Sequence, residues 1–144
     1  MAAYQKPLPK FHNRYAKQFY DGCKQRKLLI QRCSGCGKHR FPPTPMCPRC
    51  NSMKHEFTAV SGEGVIASFT TIHNLEPRAL PMATWPADGY PINVAIVALP
   101  DADGVHLASN VVGCEAKDLK VGMKVSVVFE DVTPEVTLPK FKMR

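Results

Sequence analysis

Four cysteines form two C-x-x-C pairs, CSGC and CPRC, separated by ten residues: Cys33, Cys36, Cys47 and Cys50. Two such pairs can close around one tetrahedral ion, and an all-sulfur tetrahedron suits zinc or iron. Gly37 and Asn51 follow the pairs, and both tolerate the left-handed backbone of a rubredoxin-type knuckle. A closed zinc site leaves no position for a substrate, so we expect a structural metal. Two disulfides are the alternative.

Composition and charge restrict the cellular compartment and the partners that we expect for this chain. No apolar core of a signal peptide and no run of about 18 apolar residues is present, which predicts no membrane span. We expect a reducing cytoplasm in which Cys23 and Cys114 are free thiols. The formal charge is +7; four thiolates subtract four and Zn²⁺ adds two, leaving +5. Such a chain favours an anionic partner: nucleic acid, a phosphorylated ligand such as coenzyme A, or an acidic protein.

An aromatic face predicts a helix over residues 11–22. Phe11, Tyr15 and Phe19 recur at i, i+4 and i+8, and Gly22 marks the expected end. A helix of this length is marginal by itself, so its aromatic face must dock. The docking surface is either the same chain or a partner subunit.

The rest of the chain has the residue pattern and turns of β-structure. A strand at 28–32 leads into the zinc ribbon, and further strands are predicted at 55–60, 65–73, 92–99, 105–112, 124–132 and 135–138, with a short helix at 115–119. The predicted fold is mainly β, with an N-terminal helical segment (1–27), a four-cysteine zinc ribbon (28–54) and a C-terminal five-stranded OB-fold barrel (55–144). A generic five-stranded sandwich is the alternative.

Residues 74–91 interrupt the predicted barrel. They carry four prolines, Arg78, the single tryptophan Trp85, and Tyr90. The segment is too long for an ordinary hairpin and too apolar for a solvated linker. We therefore expect it to contact a partner or ligand, with Trp85 and Tyr90 as apolar walls and Arg78 near a carboxylate or phosphate. Packing over the end of the barrel is the alternative.

The sequence contains no complete catalytic constellation. A Gly-rich phosphate loop and a G-x-S-x-G elbow are both missing. Residues 101–104 resemble the start of a calcium loop but lack the later ligands, which predicts a hairpin turn. Cys114 has no motif that pairs it with a base, so we expect a buried structural thiol. His73 borders the 74–91 segment and either touches a substrate or is a polar strand end.

The order of these parts resembles one protein family. The resemblance is carried by LLIQRCSGCGKHRFPPTPMCPRC (28–50), SGEGVIASFTTIH (61–73), VGMKVSVVFEDV (121–132) and TLPKF (137–141). Members join N-terminal helices and a rubredoxin-like zinc ribbon to an OB-fold, and they associate with acyl-CoA enzymes. The chain resembles small subunits such as those of benzoylsuccinyl-CoA thiolase and of phloroglucinol-type acetyltransferase.

The resemblance implies a largely non-catalytic subunit in a hetero-oligomer with a thiolase-fold large subunit, which supplies the catalytic residues. A coenzyme A thioester would bind at the partner interface. The candidate substrate or partner contacts are Phe11, Tyr15, Phe19, His73, Arg78, Trp85 and Tyr90. Whether the partner is a thiolase, aldolase, acetyltransferase or hydratase stays open.

Two other functions compete with this interpretation. OB-folds bind single-stranded nucleic acid through basic grooves and stacked aromatic rings. The predicted barrel strands hold only Phe57, Phe69 and Phe129, which makes nucleic acid the less favoured partner. A free-standing enzyme is the third possibility, and the missing catalytic constellation argues against it.

Overall fold

The computed structural model describes residues 7–73 and 91–144. Within these ranges the chain forms one helix and nine strands: α1 (Arg14–Lys24), β1 (Leu28–Cys33), β2 (His39–Arg40), β3 (His55–Val60), β4 (Glu63–Ile72), β5 (Ile92–Leu99), β6 (Val105–Ser109), β7 (Val111–Val112), β8 (Lys124–Asp131) and β9 (Thr137–Met143). A 3-10 helix follows β5 and another precedes β8. The predicted mainly β class is confirmed. No helix in these ranges is long and apolar enough to cross a membrane.

A three-stranded antiparallel sheet, in the order β2–β1–β3, carries the cysteine pairs. β1 pairs with β3 along its whole length, from Leu28 opposite Val60 to Cys33 opposite His55. The strand at 55–60 is therefore hydrogen-bonded to the ribbon. The domain boundary predicted at residue 55 stays a prediction.

The second sheet has six strands in the order β6–β5–β4–β8–β9–β7. Only Asn110 separates β6 from β7, so one short segment of the chain contacts both ends of this sheet. The contact at the β7 end consists of two parallel residue pairs, Val111 with Phe141 and Val112 with Lys142. The sheet forms the predicted OB-fold, but among the strands of residues 7–73 and 91–144 no regular pair closes the barrel.

The strand predicted over 105–112 is broken at Asn110 because Asn93 takes over as the partner of Val111. The Asn93 side chain accepts a hydrogen bond from the Val111 N–H at 2.7 Å and donates one to the Val111 carbonyl at 2.8 Å. The Asn110 carbonyl accepts from the Phe141 N–H at 2.9 Å. After Asn110 the chain therefore stops pairing with β5 and pairs with β9. This change of partner strand depends on residues distant in sequence.

The helix begins at Arg14 and ends at Lys24, so the predicted bounds of 11–22 are wrong at both ends. Asn13 is the N-cap, and its Oδ1 accepts hydrogen bonds from the N–H groups of residues 15 and 16 at 2.8 and 2.9 Å. Phe11 therefore precedes the helix, and its exposed ring contacts the ring of Tyr20. Gly22 lies inside the helix, where a Cβ would lie 2.7 Å from the Leu29 side chain.

One core joins the helix, the ribbon strand β1 and the barrel. Tyr15 and Phe19 are buried by this chain itself. The shared apolar cluster includes Phe19, Cys23, Leu28 and Ile30 from the N-terminal part and Ile66, Val97, Leu99, Leu107, Val125 and Phe141 from the barrel. Of the two docking alternatives, docking on the same chain holds for Tyr15 and Phe19.

The turn at residues 101–104 connects the ribbon to the barrel. The Asp103 carboxylate accepts hydrogen bonds from the backbone N–H of His39 at 2.9 Å, from His39 Nδ1 at 2.8 Å and from Lys38 Nζ at 3.1 Å. These contacts, led by the His39 backbone N–H, hold the pKa of Asp103 well below its usual range. Asp101 accepts from the Ser61 N–H at 2.7 Å. The segment forms the predicted hairpin turn, and its carboxylates bind protein groups.

Gly62 is a position where a side chain cannot fit. Its φ is +77°, and a Cβ there would lie 2.1 Å from Cγ1 of Val127. Gly62→Ala should therefore lower the free energy of unfolding by about 3 kcal/mol. Gly104 is the matched control, because its φ is +72° but nothing lies within 4 Å of its Cβ position. Gly104→Ala should cost about 1 kcal/mol. Denaturant unfolding of the metal-loaded protein measures both, and equal losses would contradict the steric argument.

Candidate metal centre and surrounding surfaces

The four predicted ligands converge on one point. Their Sγ atoms all lie within 4.8 Å of one another. The Sγ–Sγ distance is 3.6 Å between Cys33 and Cys50 and 3.7 Å between Cys36 and Cys47. A tetrahedron with zinc–sulfur bonds of about 2.3 Å has edges of about 3.8 Å, whereas a disulfide requires about 2.05 Å. The sulfurs therefore fit one tetrahedral zinc ion, and the cysteines are free thiols, not two disulfides.

Each cysteine pair is closed by the same turn. The Gly37 N–H donates to the Cys33 carbonyl, and the Asn51 N–H donates to the Cys47 carbonyl, both at 2.9 Å. Gly37 and Asn51 have φ values of +73° and +60°, which confirms the two predicted left-handed positions. The turns direct backbone N–H groups at sulfur, and those of Gly35 and Cys36 lie 3.3 and 3.5 Å from Cys33 Sγ.

The amide groups favour the thiolate form of the two buried cysteines. The hydrogen bond from the Cys36 backbone N–H, assisted by that of Gly35, lowers the pKa of Cys33 to about 6. The pKa of Cys47 is lowered by the backbone N–H groups of Arg49 and Cys50. Metal ligation needs the thiolate, so these backbone hydrogen bonds favour the form of Cys33 and Cys47 that can bind a cation.

Buried polar side chains fix the proline-rich turn between the cysteine pairs. Gln31 Oε1 accepts from the Thr44 N–H at 2.8 Å, and Gln31 Nε2 donates to the Thr44 carbonyl at 2.9 Å. Arg40 Nη2 donates to the same carbonyl at 3.0 Å. Gln31 and Arg40 are both buried. Sequence reasoning missed both; the available signal for Gln31 was a polar residue that directly follows the apolar run LLI in the strand LLIQR.

The structure places the predicted contact residues in different regions. His73 lies at the end of β4 and lines a cavity of about 430 Å³ with Asn93, Cys114 and Lys117. Phe19 lines another cavity of about 330 Å³ with Tyr20, Phe41 and Leu138. The structure therefore does not bring His73 and the helical aromatics into one pocket. Three of the predicted contacts lie outside the described residues: Arg78, Trp85 and Tyr90.

Neither of the remaining thiols is prepared for nucleophilic chemistry. Burial raises the pKa of Cys23 to about 12. Burial, with a smaller contribution from Asp118, also raises the pKa of Cys114, whose side chain is half-buried. His39 is engaged at both ring nitrogens, by Asp103 at 2.8 Å and by Thr58 Oγ1 at 3.1 Å. No thiol–histidine pair forms among residues 7–73 and 91–144.

Family models match two consecutive parts of the chain. The model described as "ChsH2, rubredoxin-like zinc ribbon domain" matches residues 21–56, and "ChsH2, C-terminal OB-fold domain" matches residues 57–130. The structure of an "Ltp2-ChsH2(DUF35) aldolase" is 32% identical, with a TM-score of 0.80 over 94% of this chain and 98% of that one. A DUF35 protein of unknown function from Sulfolobus solfataricus shares the fold at 23% identity and a TM-score of 0.63, covering 94% of this chain and 89% of its own.

Curated relatives agree with these matches. A "Probable enoyl-CoA hydratase alpha subunit" from Thermomonospora curvata is 34% identical over 90% of this chain, which spans only 38% of that relative. A "DUF35 domain-containing scaffold protein" from Methanocaldococcus jannaschii is 30% identical over 76% of this chain and 72% of its own length. The chain therefore belongs to the DUF35 family of ChsH2-type proteins, in which a rubredoxin-like zinc ribbon is joined to an OB-fold domain.

Proposed function

We propose that this chain is a non-catalytic scaffold subunit of a thiolase-like acyl-CoA enzyme complex, where it helps to shape the acyl-CoA site and holds the complex together. The observation that carries the proposal is the structural match to the Ltp2-ChsH2(DUF35) aldolase, which covers 94% of this chain at a TM-score of 0.80. The relative named as an enoyl-CoA hydratase alpha subunit supports an association with acyl-CoA chemistry. The relatives named as scaffold proteins support a structural role.

The chemistry of the described residues supports a non-catalytic role. Four sulfurs would complete the coordination of a zinc ion and leave no position for a substrate. The zinc would supply rigidity to the ribbon. The thiols outside this site have raised pKa values, so neither is a thiolate at neutral pH. In this proposal the partner subunit provides the nucleophile and the general base.

The cavity beside His73 is the part of the described chain that best suits the edge of an acyl-CoA site. His73 directly precedes the 74–91 segment, Pro91 is its last residue, and both line this cavity. On the rim Lys117 is paired with Glu115 at 2.6 Å, so a phosphorylated ligand would have to displace that carboxylate to bind the lysine. In this proposal the thioester or the large subunit is contacted by three residues of the segment, Arg78, Trp85 and Tyr90. The complex works in a reducing cytoplasm.

Nucleic acid is the weaker candidate partner. Binding of single strands depends on exposed aromatic rings on which bases can stack. Phe57, Phe69 and Phe129 are the aromatic residues of the strands β3, β4 and β8, and all three are half-buried. They offer little open ring surface, so no observation on the described barrel favours nucleic acid.

Pairwise reconstitution tests the proposal. The tagged, zinc-loaded chain is mixed with each thiolase-fold protein of its own genome, and size-exclusion chromatography with light scattering measures the mass. We expect one of these proteins to form a stable hetero-oligomer, and a thiolase-fold protein from an unrelated organism serves as the control. Co-purification of nucleic acid with high absorbance at 260 nm, and no complex with any thiolase-fold protein, would overturn the proposal.

A further inference from the structure

The second cysteine pair presents an apolar tip to solvent. Met46 and Met53 flank this pair and are 50% and 61% exposed. The Cys47 N–H donates to the Ser52 carbonyl at 2.9 Å, so the chain enters and leaves the knuckle at paired positions. Met46 and Met53 are the next residues outward from that pair, one on each of the two chain segments that it joins. We call the surface formed by Met46, Arg49, Met53 and Lys54 the knuckle tip.

The knuckle tip carries two cations, Arg49 and Lys54, that no carboxylate of the described residues pairs with, above a metal centre whose four thiolates and one Zn²⁺ would sum to −2. Residues 44–54 include Arg49 and Lys54 but no aspartate or glutamate. Around the first cysteine pair, Lys38 faces Asp103 at 3.1 Å and Arg32 faces Glu56 at 3.9 Å. For Arg49 and Lys54 the part of the chain that the structure describes provides no ion pair. Since no described carboxylate engages them, both side chains can pair with carboxylates of a partner surface.

The backbone beneath the tip is rigid. The Ser34 N–H of the first knuckle donates to the Lys54 carbonyl at 3.0 Å, and the Lys54 N–H donates to Ser52 Oγ at 3.2 Å. The sulfurs of Cys47 and Cys50 would anchor the same loop to the metal. A surface that is already ordered loses little entropy on docking. The flexible methionine side chains can still adapt to the shape of a partner.

We propose that the knuckle tip docks into an apolar cleft with an acidic rim on the large subunit of the complex, an inference that rests on the proposed function. Met46 and Met53 fill the cleft, and Arg49 and Lys54 face carboxylates on its rim. Methionine and arginine are enriched in protein interfaces, and charge complementarity fixes the orientation of docking. A nucleic-acid backbone would satisfy the two cations but would leave both methionines in water.

Titration of the zinc-loaded chain against the reconstituted large subunit tests the inference. Met46→Ser combined with Met53→Ser should weaken binding by about 30-fold or more, because buried apolar anchors dominate interface affinity. Leu8→Ser combined with Val121→Ser is the matched control, since Leu8 and Val121 are 42% and 64% exposed but lie outside the ribbon. The control should bind within about threefold of wild type. Arg49→Ser with Lys54→Ser should weaken binding more at low salt than at high salt.

Each result decides between the two proposals. If wild type forms the complex and the methionine variant binds as tightly as the control, the docking inference is wrong and the proposed function stands. If wild type binds no thiolase-fold protein, both fall. Zinc content and melting temperature confirm that each variant is folded. If the serine variant loses zinc, the double variant Met46→Gln with Met53→Gln is tested in its place, because glutamine keeps the side-chain length of methionine. Unchanged binding of the glutamine variant overturns the inference.

Discussion

Replacing Cys47 with serine should lower the zinc content of the purified chain from about one ion per molecule to almost none. Cys47 is buried, its thiolate is favoured by backbone amides, and its Sγ lies 3.7 Å from that of Cys36. A serine hydroxyl supplies no thiolate, and structural zinc contributes on the order of 10–16 kcal/mol of folding free energy in small peptides. Elemental analysis measures the loss. Full zinc in both Cys36→Ser and Cys47→Ser would refute a four-cysteine site.

The loss of zinc should unfold the knuckles before it unfolds the barrel. Amide hydrogen exchange reports this, because the N–H groups of Cys47 and Asn51 are protected only by hydrogen bonds within the second knuckle. Both should lose protection in the variant. The Val127 N–H, which donates to the Gly62 carbonyl at 2.8 Å inside the barrel, should stay protected. Cys114→Ser is the control, since Cys114 lies outside the metal site and its replacement should leave zinc unchanged.

The strands could be predicted from the sequence because short-range patterns define them. The strand predicted at 92–99 has those bounds in the structure, and the strand predicted at 124–132 runs from Lys124 to Asp131. Apolar β-branched runs bounded by glycine and aspartate turns determine such elements locally. The metal ligands were predictable for the same reason, since the C-x-x-C spacing and the left-handed residues after each pair act within a few residues.

The pairing of the strands and the start of the helix could not be derived from local pattern. Asn13 caps the helix and places Phe11 outside it, although the aromatic spacing favours an earlier start. The break at Asn110 depends on Asn93, whose side chain bonds to Val111 from another strand. Such contacts join residues far apart in sequence, so a period of two or 3.6 residues carries no information about them.

The residues that hold the ribbon turn and the contact between ribbon and barrel could likewise not be predicted from the sequence. Gln31 and Arg40 fix the Thr44 backbone, and Asp103 binds His39 from the barrel side. Polar residues in these positions look like ordinary strand and turn residues until the fold brings them together. The sequence therefore predicts which atoms bind the metal but not what holds the ribbon against the barrel.

The isolated chain should not turn over acyl-CoA thioesters, and activity should appear at least about a thousandfold above background when its large subunit is added. The reason is the state of its own thiols outside the metal site. Burial raises the pKa of Cys23 to about 12 and also raises that of Cys114. Release of free coenzyme A, followed with a thiol reagent that is corrected for protein cysteines, measures the reaction for each component and for the mixture.

Cys114→Ala is the decisive variant, because Cys114 is the thiol that lines the cavity beside His73. If the large subunit carries the nucleophile, this variant should retain activity within a few-fold in the assembled enzyme. Loss of a catalytic nucleophile typically costs a thousandfold or more. Cys23→Ala, at a fully buried position of the core, separates packing from chemistry, since it should lower the melting temperature and leave the assembled rate within a few-fold. A thousandfold loss in Cys114→Ala, with zinc content and assembly intact, would place the chemistry in this chain and end its assignment as a scaffold.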